Sequence, residues 1–393
     1  MFCSAIHQKI VSTGKVKQYI RCLHSFTMSK DNSYKDRYSW IKFSEAKLIS
    51  IEKRILEVVK TAYKGWFVPV QTVSDEDKIW TVSLNPESKN TPLLLLHGFA
   101  AGLGFWCLNF DAFAKDRPVY AIDLLGFGRS SRPTFSSDNT EAEKQLVESI
   151  EQWRKSVNLD KFIILGHSFG GYLATSYSIQ HPEHVKHLIL ADPWGFNIKP
   201  DNFNPPLWLK TLAFFLYPFT QFNPLATVRA AGPIGPWLIK KTRADISEKY
   251  AESLDDKDLI TEYIYQCNSQ KPTGESAFHS MMKGFGWAKN PMIDRIQDLD
   301  KNIPMTILYG EYSWIDKSSG AIIQDKRPTS YVDLKIVPGA GHHINADQPE
   351  IFNNLVVETC NLSDAKEDQP KKVEDSKKNA ENSDGVNVDL ALN

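Results

Sequence analysis

The run Gly166-His167-Ser168-Phe169-Gly170 sets a hydroxyl between two glycines, directly after the apolar stretch Lys161–Leu165 and before a helical pattern. A strand–turn–helix junction of this kind projects a serine from a sharp bend where neighbouring side chains would collide. A helix that starts just after Ser168 also points backbone N–H groups at developing negative charge. The chemistry this suits is nucleophilic attack by Ser168 on an acyl carbonyl.

A serine needs a base, and the base needs an orienting carboxylate. Asp316 follows the apolar run Met305–Tyr309, and His342 follows the run Val332–Val337 in Gly339-Ala340-Gly341-His342. Both would lie at carboxyl ends of strands, on the rim that carries Ser168. The order Ser, then Asp or Glu, then His is that of α/β-hydrolases. The expected triad is therefore Ser168, Asp316 and His342. Asp192 and Glu311 compete for the acid role, and His343 competes for the base. Asp192 closes the strand after the Ser168 turn and ranks second, because it would more simply anchor the start of the segment that follows.

Upstream, His97-Gly98-Phe99-Ala100 ends the run Leu93–Leu96, where a second oxyanion donor belongs. The backbone N–H groups of Phe99 and Phe169 form the expected pair. His97 reads as a structural hydrogen-bonder. The glycine-rich loop from Asp123 to Ser130 lacks the Lys-Ser/Thr of a phosphate loop and reads as a tight turn. His342 also opens a His-x4-Asp pattern with Asp347. In acyltransferases of another fold such a pair activates a hydroxyl acceptor; the plainer role for Asp347 is to cap the helix beginning near Pro349.

Short β-type runs occur at Ile79–Leu84, Leu93–Leu96, Val119–Ile122, Phe162–Leu165, Val185–Leu190, Met305–Tyr309 and Val332–Val337. Several are continuous Ile/Leu/Val stretches, as strands buried on both faces of a parallel sheet require. Leu146, Ile150, Trp153 and Val157 recur at helical spacing between two of them. A last helix is expected from about Pro349 to Cys360. This alternation implies a mostly parallel, doubly wound α/β sheet. It breaks at about 195–295, which reads as an inserted, mainly helical cap over the carboxyl ends of the strands. Within it, Trp208, Phe214 and Phe215 belong to a dense aromatic stretch. Part of that stretch must be helix core, and the rest favours an acyl-chain tunnel or a membrane-facing lid. Arg229, Lys240, Lys241 and Arg243 follow, and read mostly as a solvated basic face.

With 42% hydrophobic and 24% charged residues and a net charge of −1 over 393 residues, no global field points to nucleic acid. The five cysteines, Cys3, Cys22, Cys107, Cys267 and Cys360, fit neither a disulfide framework nor a metal motif. No apolar stretch reaches the ~18 residues of a membrane span. Residues 1–35 form a basic leader that suits a mitochondrial presequence or a plain disordered arm. Residues 36–362 form the α/β domain, and 363–393 a charged tail too poor in apolar residues to order. Neither metal nor organic cofactor is required.

Leu94-Leu95-Leu96-His97-Gly98-Phe99, the loop from Asp123 through Pro133, Pro193-Trp194-Gly195-Phe196, Phe222-Asn223-Pro224-Leu225-Ala226 and Ala346-Asp347-Gln348-Pro349 together resemble the α/β-hydrolase-domain-containing proteins four and five. The resemblance runs from about Tyr38 to Cys360. It implies an α/β-hydrolase fold and lipid chemistry of two kinds. One is a lysophospholipase that removes acyl groups from N-acylphosphatidylethanolamines. The other is a lipid-droplet protein that activates a patatin-type triglyceride lipase, with a lysophosphatidate acyltransferase activity proposed through the His-x4-Asp pair. In the vertebrate activator the elbow serine is asparagine, so Ser168 favours the enzyme. Tyr312 stands where the activator type has arginine, and the activator's tryptophan-rich anchor is reduced to Tyr38 and Trp40. The chain also resembles yeast mitochondrial cardiolipin deacylases. The expected partners are a lipid substrate, a membrane or lipid-droplet surface contacted peripherally from the cytoplasm, and a patatin-type lipase; the leader makes the mitochondrion the alternative location.

Overall fold

Eight strands form one sheet in the order β1-β2-β4-β3-β5-β6-β9-β10. They are β1 (Tyr63–Pro69), β2 (Lys78–Leu84), β3 (Leu93–Leu96), β4 (Val119–Ile122), β5 (Phe162–His167), β6 (Val185–Ala191), β9 (Met305–Gly310) and β10 (Val332–Val337). The structure, a computed structural model, describes residues 43–200, 225–284 and 286–365. β1 and β2 pair antiparallel, β2 joins β4 antiparallel, and all other pairings are parallel. β3, β5 and β9 are buried along their whole length. That burial follows from helices on both faces, which leave no solvated side for polar residues to alternate onto. Within β3, Leu93 and Leu95 join one core layer and Leu94 and Leu96 the other, the two-residue period of a strand.

One layer is closed by the helices Glu45–Leu56, Leu259–Asn268 and Pro349–Ala365, the other by Asn139–Ser156 and Phe169–Gln180. The helix Asn139–Ser156 begins where the Asp138 side chain accepts from the N–H groups of Thr140 and Glu141, at 3.0 and 2.9 Å. Its buried stripe is Leu146, Val147, Ile150 and Trp153. The helix Phe169–Gln180 has no polar face, because ten of its residues are buried between sheet and neighbours.

The chain leaves β3 towards β4 on one side, and β5 lies on the other. The reversal opens a crevice at the carboxyl ends of β3 and β5, the place where sheets of this kind bind ligands. Between β6 and β9 the described chain is mainly helical, with helices Ala226–Ala230, Gly235–Thr242, Ala244–Tyr250, Leu259–Asn268 and Thr273–Met281 and a two-residue hairpin of β7 (Met282–Lys283) and β8 (Trp287–Ala288). Trp208, Phe214 and Phe215 lie outside the described residues, as do the leader and most of the charged tail. The last helix continues through Ala365, past the expected tail start at 363. Ser363 is buried, and Asp364 pairs with Arg117 at 2.9 Å, contacts that hold the extra turn. Among the described residues, no helix is long and apolar enough to cross a membrane.

Candidate active site

β5 ends at His167, and the next residue, Ser168, adopts φ +52° before the helix starts at Phe169. Positive φ at a serine is strained backbone, held here because the packing on either side admits no other turn. Gly170 shows why. A Cβ there would run into the carbonyl oxygens of Leu96 and His97, so the helix abuts the end of β3. Gly98 closes the other side: a Cβ on it would stand 2.8 Å from His167 Nδ1 and 3.2 Å from the Ser168 Cβ.

Ser168 Oγ lies 3.0 Å from His342 Nε2, and His342 Nδ1 lies 2.5 Å from Asp192 Oδ2. This chain of contacts corrects the expected acid. Asp192 follows directly on β6, has φ +48° and is fully buried. Its carboxylate also accepts from Gly310 N at 3.2 Å and from the Ser313 hydroxyl. Asp316, by contrast, is exposed and accepts from Ser318 N and Oγ at 3.0 and 2.8 Å. The segment between Gly310 and Asp316 brings the Ser313 hydroxyl to Asp192 and the Trp314 ring to within 4.9 Å of the His342 ring, while the Asp316 carboxylate turns to the start of the next helix. Asp316→Ala is accordingly expected to lower stability by about 1 kcal/mol, as loss of an acceptor at a helix start does, and to leave esterase turnover close to that of the parent. A tenfold loss of turnover at unchanged melting temperature would return Asp316 to the relay.

Glu311, the other competing acid, is exposed and accepts from Gly339 N at 2.8 Å. His343 contacts Arg243 Nη2 at 3.4 Å through Nε2, and its Nδ1 is buried without a hydrogen-bond partner among the described residues. Burial, then the neighbouring His167 and His342, pushes its pKa well below the ordinary value, a poor setting for a base. His97 accepts from Leu124 N at Nε2 (3.0 Å), so Nδ1 carries the proton and donates to Gly98 O (2.8 Å). It holds two loops together.

His167 was not singled out from the sequence, yet it fixes the base. Its Nε2 meets the His342 carbonyl at 2.9 Å, and burial together with the nearby His342 pushes its pKa down to about 3. A neutral ring therefore donates to that carbonyl and pins the loop. The only available signal was its place between Gly166 and Ser168.

Asp347 turns to neither expected partner. Its Oδ2 accepts from Gly341 N at 2.9 Å, and its Oδ1 pairs with Lys249 at 2.7 Å. Both ring nitrogens of His342 are taken by Ser168 and Asp192, so the His342–Asp347 pair does not form, and the carboxylate clamps the loop before His342 rather than capping the helix from Pro349. Asp347→Ala would strand a half-buried N–H and an ammonium, and is expected to lower stability by about 1–3 kcal/mol and to slow turnover by releasing the loop before His342. Asp347→Asn keeps an acceptor for Gly341 and should recover most of that loss and of the turnover. An Asn variant as stable as the parent but as inactive as Ala would show instead that the charge itself acts in the chemistry.

Phe169 is the first residue of its helix, where an N–H has no intrahelical acceptor, and Phe99 N makes no backbone hydrogen bond among the described residues. Both remain candidate oxyanion donors. Ser168 and His342 line a cavity of about 640 Å³ whose other walls include Phe99, Trp194, Leu225, Phe278 and Trp314.

Residues 91–349 match the family model described as the alpha/beta hydrolase fold. The chain belongs to the α/β-hydrolase family. This α/β-hydrolase is 48% identical over 326 residues to the (lyso)-N-acylphosphatidylethanolamine lipase of Mus musculus, covering 82% of this chain and 93% of that protein. It is 49% identical, over 82% of this chain and 91% of the other, to 1-acylglycerol-3-phosphate O-acyltransferase ABHD5 of the same species. Those two place it in the four/five subfamily that the motifs resembled. Among solved structures, naproxen esterase from Bacillus subtilis superposes with a TM-score of 0.57 at 16% identity, over 81% of this chain and 99% of that one. A membrane phospholipase A described as a bacterial virulence factor reaches 0.56 at 19% identity, over 87% and 98%. At such identities these two speak for the fold alone.

Proposed function

We propose that the protein is a serine lipid hydrolase that cleaves fatty acyl esters of lyso- or N-acyl-phospholipids or related lipids. The observation that carries this reading is the continuous Ser168–His342–Asp192 relay at the wall of an apolar cavity. Ser168 Oγ adds to the acyl carbonyl while its proton passes to His342 Nε2. Asp192, accepting from Nδ1, fixes the tautomer that leaves Nε2 free to take that proton. The oxyanion is received by Phe99 and Phe169 N–H groups. The bond to the leaving alcohol breaks as His342 returns the proton to its oxygen, leaving acyl-Ser168. Water, activated by the same imidazole, then releases the fatty acid. The lipid class rests on the near-half identity to the named lipase and on the apolar walls of the cavity.

The test is fatty-acid release from lysophospholipid, N-acylphosphatidylethanolamine, cardiolipin and triglyceride by purified parent and Ser168→Ala protein. Release by the parent alone supports the reading, and equal release by both removes it.

The equal likeness to a named acyltransferase favours a second outcome on the same machinery. Acyl-Ser168 can pass its acyl group to the hydroxyl of lysophosphatidate instead of to water, with His342 and not Asp347 as the base. A third assignment, activation of a patatin-type triglyceride lipase at a lipid-droplet surface, needs no relay. It predicts that Ser168→Ala still raises lipase activity on emulsified triglyceride. In every case the protein meets its lipid at a membrane or droplet surface.

A further inference from the structure

The cavity at Ser168 has two arms. One, of about 300 Å³, shares Phe99, Ala100, Ala101, Leu225, Arg243 and His343 with it. To these the helices between β6 and β9 add the branched aliphatics Val228, Leu238, Ile239, Ile246 and Ile264 together with Thr242, and Phe105 completes the wall. The other arm, of about 340 Å³, shares Trp194, Gly286 and Trp314 with the central cavity and adds Phe196, Asn197, Ile198, Trp287 and Asp316. The first arm is therefore mainly aliphatic beyond its junction, whereas the second mixes aromatic, proline, amide and carboxylate groups.

Both arms open beside the imidazole that must deliver its proton to the leaving oxygen, with the Trp314 ring 4.9 Å and the His343 ring 5.4 Å from that of His342, so it is the character of their walls that separates them. A carbonyl oxygen held by the Phe99 N–H leaves the acyl chain free to run past Ala100 and Ala101, which line both the central cavity and the first arm. That wall leads into the aliphatic arm. We propose that this arm is the seat of the fatty acyl chain, and that Leu238 and its neighbours set the chain length the enzyme prefers. The proposal rests on the hydrolase reading above and adds which arm the acyl chain occupies. Each methylene buried there should raise kcat/KM by about fourfold, until the arm is full.

The experiment compares p-nitrophenyl decanoate with p-nitrophenyl butyrate on the parent, Leu238→Trp and Ile198→Trp proteins. Both esters release the same phenolate, so any change on the leaving-group side cancels in the ratio of their kcat/KM values. Leu238 is only half-buried, so a larger ring there is tolerated better than at Ile246, and melting temperatures identify a variant that has lost its fold; Val228→Phe is the replacement if Leu238→Trp does. The decanoate-to-butyrate ratio is expected to fall at least about tenfold in Leu238→Trp, equivalent to losing roughly two methylenes, and to hold in Ile198→Trp. A ratio unchanged in a folded Leu238→Trp, or lowered only in Ile198→Trp, would overturn the acyl seat while leaving the hydrolase reading in place. A folded parent inactive on both esters would remove the hydrolase reading, and the seat with it.

Discussion

Ser168→Ala is expected to reduce fatty-acid release by about 10⁵- to 10⁶-fold, the scale on which loss of the nucleophile acts in a serine relay. The alanine keeps the cavity, the oxyanion donors and the His342–Asp192 pair, so binding of lipid should persist and the loss should fall on kcat. Alanine also relieves little of the turn, because the strain at φ +52° belongs to the backbone and both residues carry a Cβ. Stability should therefore change by well under the loss seen in activity, and a thermal melt beside the assay separates the two. Activity retained within tenfold would mean that another group performs the attack.

Asp192→Asn is expected to lower kcat by about 10³- to 10⁴-fold with little change in KM. The amide can keep its acceptor towards Gly310 N, which leaves its NH₂ facing His342 Nδ1. Two donors cannot meet there, so the imidazole moves its proton to Nε2 and loses the ability to accept from Ser168. The effect is a tautomer switch rather than a lost contact. On this account a carboxylate with no covalent role would control a large fraction of the rate. Side by side, Asp316→Asn should be nearly silent, and the reverse ranking would contradict the geometry of the site.

Much of this was legible in the amino-acid order. Ser168 and His342 stand at the carboxyl ends of apolar runs, and the structure joins them at 3.0 Å. The runs Leu93–Leu96, Val119–Ile122 and Val332–Val337 appear as strands with those bounds, because turn residues and glycines mark their ends. The acid was not legible. Asp192 and Asp316 both satisfy the chain order, and the choice depends on where the Gly310–Asp316 loop travels and on a left-handed aspartate, neither of which periodicity encodes. The antiparallel strand Tyr63–Pro69 was missed for a related reason. It is an edge strand with mostly exposed residues, and Lys64 and Gly65 break its alternation. The helix Glu45–Leu56 did carry a signal, since Leu48, Ile51 and Ile55 recur at helical spacing and Ser44 accepts from Lys47 N as its cap.

The central claim is that acyl transfer passes through a covalent ester on Ser168, and one measurement addresses it directly. The parent protein is mixed with N-acylphosphatidylethanolamine or a p-nitrophenyl decanoate surrogate, quenched in acid before the first turnover is complete, digested, and weighed by mass spectrometry. The account predicts an acyl group on the peptide that contains Ser168, formed with the first equivalent of released alcohol and absent from Ser168→Ala. Fatty acid released at full rate with Ser168 unmodified throughout, or the same acyl mass found on another residue, would contradict it.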